Sequence, residues 1–131
     1  MSYIPAALRR LVEERANYQC EYCLHPASVA FFPHEVDHVI AQKHGGKTEA
    51  DNLAFACWRC NRNKGTDLGS FDPQTGEFSF LFNPRTQQWA EHFKLEEKTL
   101  TLIGLTIQGR TTVNLLKLNS DVRIAERQRL L

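Results

Sequence analysis

Apolar positions recur at helical spacing near the start of the chain. Leu8, Leu11 and Val12 share one face with the stem of Arg15, and Pro5 suits a first turn, so the pattern predicts a helix over residues 5–16. A short apolar run, Val29-Ala30-Phe31-Phe32, lies between Pro26 and Pro33 and fits a strand or a loop. Val36, Val39 and Ile40 around polar neighbours predict a strand over 35–40. His44-Gly45-Gly46-Lys47 is a turn signal, and residues 51–56 pass from a turn into a second short strand. Residues 58–64 predict a helix stopped by Gly65. Residues 66–88, with Pro73, Gly76 and Pro84, read as loop, followed by a helical turn at 89–93. Alternating Thr and Leu or Ile over 98–105 predicts a strand. Val113, Leu116 and Leu118 predict a helix over 110–118, against the weak helix formers Thr111 and Thr112. Asn119-Ser120-Asp121 caps a last helix running to residue 131. There is no internal repeat and no low-complexity tract.

The 131 residues suit one ordinary domain, with a core at 20–65 and an extension at 66–131 packing on it. With 42% hydrophobic and 24% charged residues the chain is globular and not disordered. Yet residues 20–60 are thin in aliphatic runs, as expected where a metal replaces part of a core. No stretch reaches the ~20 apolar residues of a membrane span. Residues 1–7 lack a basic segment followed by an apolar one, so no signal peptide is expected, the expected location is cytoplasmic, and no membrane partner is expected. A net charge of +1 argues against coating nucleic acid by bulk electrostatics and leaves room for a local basic patch.

Candidate chemistry enters with the cysteines. Cys20-Glu21-Tyr22-Cys23 and Cys57-Trp58-Arg59-Cys60 are two two-residue knuckles able to close one tetrahedral sulfur site around Zn²⁺. The alternatives are free thiol pairs or a redox motif, but one redox knuckle leaves the second unexplained, and no βαβ pattern lies nearby. In a reducing compartment paired cysteines are metal ligands more often than disulfides. A site closed by four thiolates keeps no open position, so such a zinc is structural. His25 is a substitute ligand or a solvated residue. Between the knuckles lie Asp37-His38 and Asn52, and Asn61 follows the last cysteine.

The run Cys-Glu-Tyr-Cys, Glu-Val-Asp-His-Val-Ile, His-Gly-Gly, Asp-Asn-Leu, Cys-Trp-Arg-Cys-Asn-Arg-Asn-Lys-Gly resembles the HNH endonuclease family, in particular a zinc-knuckle subgroup of small bacterial proteins. The resemblance is dense over 20–65 and weaker at Phe82-Asn-Pro-Arg85 and at 89–93. It implies an α+β fold with a ββα-metal, treble-clef-like core, structural zinc, and flanking helices and a short strand region. It also implies that His38 is the general base, Asp37 the adjacent metal ligand, Asn52 the residue that orients the base and braces the loop, and Asn61 the last motif position. Asn61 stands where the family often has His, giving an H-N-N variant.

The residue chemistry runs in parallel. Phosphodiester hydrolysis needs an activated water and relief of charge on the phosphoryl and leaving oxygens. A neutral imidazole such as His38 accepts a proton near physiological pH. Asp37 and Asn61 are hard oxygen donors that suit Mg²⁺ or Mn²⁺, with Ni²⁺ as a further candidate. Asn63 competes with Asn61, but Asn61 directly follows Cys60 and a clip fixes its position. Lys43, Lys47, Arg59, Arg62 and Lys64 are candidates to grip phosphates. His34 either points toward the site or is exposed; His44 is expected in a solvated loop, and His92 in a structural role. The leading expectation is a metal-dependent endonuclease acting on DNA, or on RNA, as a monomer or weak dimer that cuts one strand at a time. The competing readings are a zinc-stabilised nucleic-acid-binding module with an inactive nuclease site and a purely structural zinc protein.

Overall fold

In the computed structural model, which describes residues 3–131, the face of Leu8 and Val12 is realised as α1 (Ala6–Arg15). Met1 and Ser2, part of the segment read for a signal peptide, lie outside the described residues. The described residues form two compact units. One holds the residues up to Thr66 together with Asn83–Thr86; the other holds Asp67–Phe82 and Gln87–Leu131. Helices mix with three small two-stranded antiparallel sheets. Among the described residues no helix is long and apolar enough to cross a membrane.

In the first unit, β1 (Glu35–His38) pairs antiparallel with β2 (Leu53–Ala56), Asp37 opposite Ala54 and His38 opposite Leu53. β2 is buried along its whole length, which explains its unbroken apolar sequence. α2 (Trp58–Lys64) follows at once, its first turn capped by Cys57, whose sulfur accepts from the Cys60 N–H. One apolar cluster of this unit joins Val12 of α1 and Ala16 just after it to Leu53 and Phe55, and Leu8, Ala27 and Val36 rim them. Arg15 ties α1 to the hairpin by donating to the carbonyls of Ala50 and Leu53 at 3.0 and 2.7 Å. The run at 29–32 forms no strand. A single 3-10 turn (Ala27–Val29) leads into a loop in which Phe31 and Phe32 stay exposed. Arg85, in the segment with the weaker family likeness, is ion-paired with Glu21 of the first knuckle, whose other oxygen accepts from the Phe55 N–H.

The second unit contains structure in the stretch expected to be loop. β3 (Gly69–Phe71) and β4 (Phe78–Phe80) form a hairpin closed by a turn at Asp72–Gly76. Strands of three residues are too short to show an alternation in sequence. α3 (Trp89–His92) runs straight into β5 (Phe93–Glu96), which pairs with β6 (Thr101–Gly104). α4 (Ile107–Leu115) and α5 (Asp121–Gln128) complete the unit. Thr111 and Thr112 are fully buried in α4; their hydroxyls donate back to the carbonyls of Ile107 and Gln108, and Thr112 Oγ1 also accepts from the Phe82 N–H. Every polar atom they bring inside thus has a partner, which offsets their low helix propensity.

A candidate metal clip and nuclease site

The first knuckle leaves a tight bend in which the N–H groups of Tyr22 and Cys23 both donate to Cys20 Sγ at 3.4 Å. Cys57 and Cys60 repeat the device at the start of α2. All four sulfurs are buried and lie within 4.8 Å of one another, with Cys23 and Cys57 at 3.6 Å. Four sulfurs held tetrahedrally about 2.3 Å from one ion would sit about 3.8 Å apart, so the set fits a zinc-sized cation. Burial pushes the Cys20 and Cys60 thiols well up, whereas hydrogen bonding with Cys20 pulls the Cys23 thiol down. Four buried thiols do not all ionise without a cation to balance them. A cation there would be held by Cys20, Cys23, Cys57 and Cys60.

The clip joins the turn before β1 to the start of α2. Asp37 is buried on the α2 side, where Lys64 Nζ lies 3.1 Å from Oδ2, and Tyr22 Oη donates to the same oxygen at 3.2 Å. Oδ1 has one long contact, Lys64 Nζ at 3.5 Å, and keeps acceptor capacity. Burial pushes the Asp37 carboxyl up, opposed by the Lys64 ammonium. Burial also pushes the Tyr22 phenol well up, which keeps it a donor. Asn61 lies three residues before Lys64, on the same face of α2, and its amide makes no hydrogen bond to a described residue.

His38 is half-buried, and its Nε2 lies 2.8 Å from Thr48 Oγ1. Thr48 belongs to the loop between β1 and β2, and Asn52 holds that loop shut. Its amide oxygen accepts from the Ile40 N–H, and its amide nitrogen donates to the carbonyls of Ile40 and Lys47, all at 2.9 Å. The glycine pair makes this closure possible. Gly45 sits at φ +91°, and a Cβ on Gly46 would fall 1.7 Å from the Ile40 carbonyl oxygen.

Lys64 departs from the expectation of a phosphate-gripping residue. It is only 2% exposed and donates to the His38 carbonyl at 2.9 Å as well as pairing with Asp37. A lysine at a helix end reads as solvated, and only its buried carboxylate partner across the fold turns it inward. Lys43 and Lys47 are exposed on the loop. Arg59 and Arg62 lie over the Trp58 ring, 4.7 and 5.4 Å from its centroid. His34 neither faces the site nor is exposed; it is buried, within 2.8 Å of the His25 carbonyl oxygen. His44 is exposed, and His92 is held by Thr106. Tyr22, Lys64 and Thr48 are the partners that sequence reasoning missed. Tyr22 falls inside the first knuckle and Lys64 four residues after the second, the one signal that marked them.

The segment from the first knuckle to the end of α2 thus combines a cluster of four buried cysteines, a hairpin with an acid and an imidazole on its first strand, and a helix. Residues 20–67 match the model of the HNH endonuclease family. No curated protein and no solved structure matches the chain.

Proposed function

We propose that the chain is a metal-dependent endonuclease that hydrolyses phosphodiester bonds in DNA, with β1, β2 and α2 as a ββα-metal core. One observation supports the reading: Asp37 Oδ1 keeps acceptor capacity where Lys64 of α2 meets it, and Asn61, a second hard oxygen donor, lies three residues before Lys64 on α2. Asp37 and Asn61 would hold a divalent cation, Mg²⁺ before Mn²⁺ or Ni²⁺, which would supply charge relief to the phosphoryl and leaving oxygens. His38 takes the proton of the attacking water at an imidazole nitrogen. Thr48 holds the ring, and Asn52 holds the loop that carries Thr48. Lys64 pairs with Asp37 and offsets its charge. Lys43, Lys47, Arg59 and Arg62 hold the flanking phosphates, and a monomer nicks one strand per encounter.

The test is nicking of supercoiled plasmid with Mg²⁺ or Mn²⁺, with His38→Ala as control. Nicking by the parent that falls at least about 100-fold in the variant supports the reading; equal nicking by both sinks it. The Lys64–Asp37 pair favours a second reading, a zinc-stabilised DNA-binding module with an inactive site, because the carboxylate already has a counter-ion. DNA binding without nicking under either metal would select that reading.

A further inference from the structure

Beside the proposed site, three aromatic rings stand together on the surface. Phe31 is 84% exposed and meets Phe32 edge-on with centroids 4.9 Å apart; Phe32 meets Trp58 the same way at 4.7 Å. None of the three belongs to the core of the unit. Between Phe32, Pro33, Glu35, Trp58 and Arg62 lies an open slot of about 350 Å³. That volume is at the small end of ligand pockets, the scale of one planar group. Arg62 lines the slot and also lies over the indole, so one wall is a guanidinium backed by an aromatic ring.

The slot's position along the crevice matters. Glu35 precedes Asp37 by two residues on β1, on the same face and about 6.6 Å away. Trp58 precedes Asn61 by three residues on α2, on the same face. Slot and proposed site are therefore neighbours along one strand–helix crevice, and the clip fixes Trp58 because it lies between two of its cysteines. The arginines suit a polyanion. Within the slot, however, the Glu35 carboxylate opposes a phosphate and accepts from amino or imino N–H groups of a base.

We propose that this slot takes an unpaired nucleobase of the bound DNA strand, next to the bond to be cut. The proposal rests on the nuclease reading for its strand and adds the substrate class: single-stranded or locally opened DNA over paired duplex. Stacking against aromatic and guanidinium faces tolerates any base and needs a base free of its partner. A duplex base reaches such a slot only after unstacking.

Binding separates this from catalysis. Zinc-loaded protein without added divalent cation is titrated into a fluorescein-labelled single-stranded oligonucleotide and, separately, the matching duplex, followed by anisotropy. The single strand is expected to bind at least about 10-fold more tightly. Trp58→Ala should lose about 10-fold on the single strand with little change on duplex, and Trp58→Phe should keep most of the affinity. Phe31→Ser, at a position too exposed to threaten folding, should lose about 5-fold on the single strand. Parent-like single-strand binding by Phe31→Ser and Trp58→Ala, or equal losses on both substrates, would overturn the proposal. If plasmid nicking fails while this pattern holds, the slot stands and the nuclease reading falls; nicking without the pattern does the reverse.

Discussion

Breaking one side of the Asp37–Lys64 pair leaves the other charge stranded inside the first unit. Both side chains are almost wholly buried, at 6% and 2% exposure. Asp37→Asn or Lys64→Met alone should therefore destabilise the folded, metal-loaded protein by roughly 3–5 kcal/mol, and the double variant by much less. Urea unfolding of the four proteins checks this; equal costs for single and double variants would show that the pair does not act as a unit. Thr48 gives a different kind of residue-level test. Its hydroxyl meets the His38 ring at 2.8 Å, so Thr48→Val should cut kcat on plasmid about 10- to 100-fold through misplacement of the proposed base, with KM nearly unchanged. A change in KM alone would remove Thr48 from any positioning role. The residues differ in how far sequence could reveal them. Cys20, Cys23, Cys57 and Cys60 were legible because their spacing is itself the geometric constraint. The inward turn of Lys64 was not, because it depends on a carboxylate brought beside it only by folding.

Among the elements, α1 and α2 show their period or their punctuation, and β1, β2 and β6 fall inside longer apolar patterns; β3, with three residues, shows no alternation. The β3–β4 hairpin is held instead by the chemistry of its turn. The Asp72 carboxylate accepts from the Gln74 N–H at 3.1 Å, from Thr75 Oγ1 at 2.8 Å, and from Arg110 of α4 through Nε at 3.1 Å and a terminal nitrogen at 2.8 Å. The Arg110 bonds, with those of Gln74 and Thr75, hold the Asp72 carboxyl well below the usual carboxylate range. A depressed folded-state pKa stabilises at every pH above the unfolded value, near 3.9, and the contribution fades as pH falls from there toward the folded value. The Tm gap between the parent and Asp72→Asn should accordingly be constant from neutral pH to about pH 5 and should narrow below about pH 4. A gap that widens on acidification would mean that the ionised carboxylate is not what holds the turn. In the first unit the corresponding device is the Gly45–Gly46 loop closed by Asn52, which a Cβ on Gly46 would force open against Ile40.

For the molecule as a whole, the two units differ in what holds them together. The first has an apolar cluster of Val12, Ala16, Leu53 and Phe55 rimmed by Leu8, Ala27 and Val36, and it also buries four cysteines whose sulfurs lie together. Domains that replace core with metal lose their fold with the ion, because the binding free energy is folding free energy. The second unit has no candidate metal cluster among its described residues, and its buried residues include an apolar group: Phe82 packs edge-on against Phe93 at 5.2 Å, and Leu100, Leu102, Leu116 and Leu118 are buried. Stripping the metal with a strong chelator under reducing conditions should therefore collapse the dispersed amide resonances of residues 6–65 while those of β5, β6 and α4 persist. Re-addition of Zn²⁺ should restore the first set. The thiolates must ionise to bind, so metal release should also grow as pH falls, with protons taken up in exchange. Retention of the full spectrum after verified metal loss would show that the hairpin, α1 and α2 hold the first unit without the clip, and would leave Asn61 and Trp58 without the fixed frame on which both proposals place them.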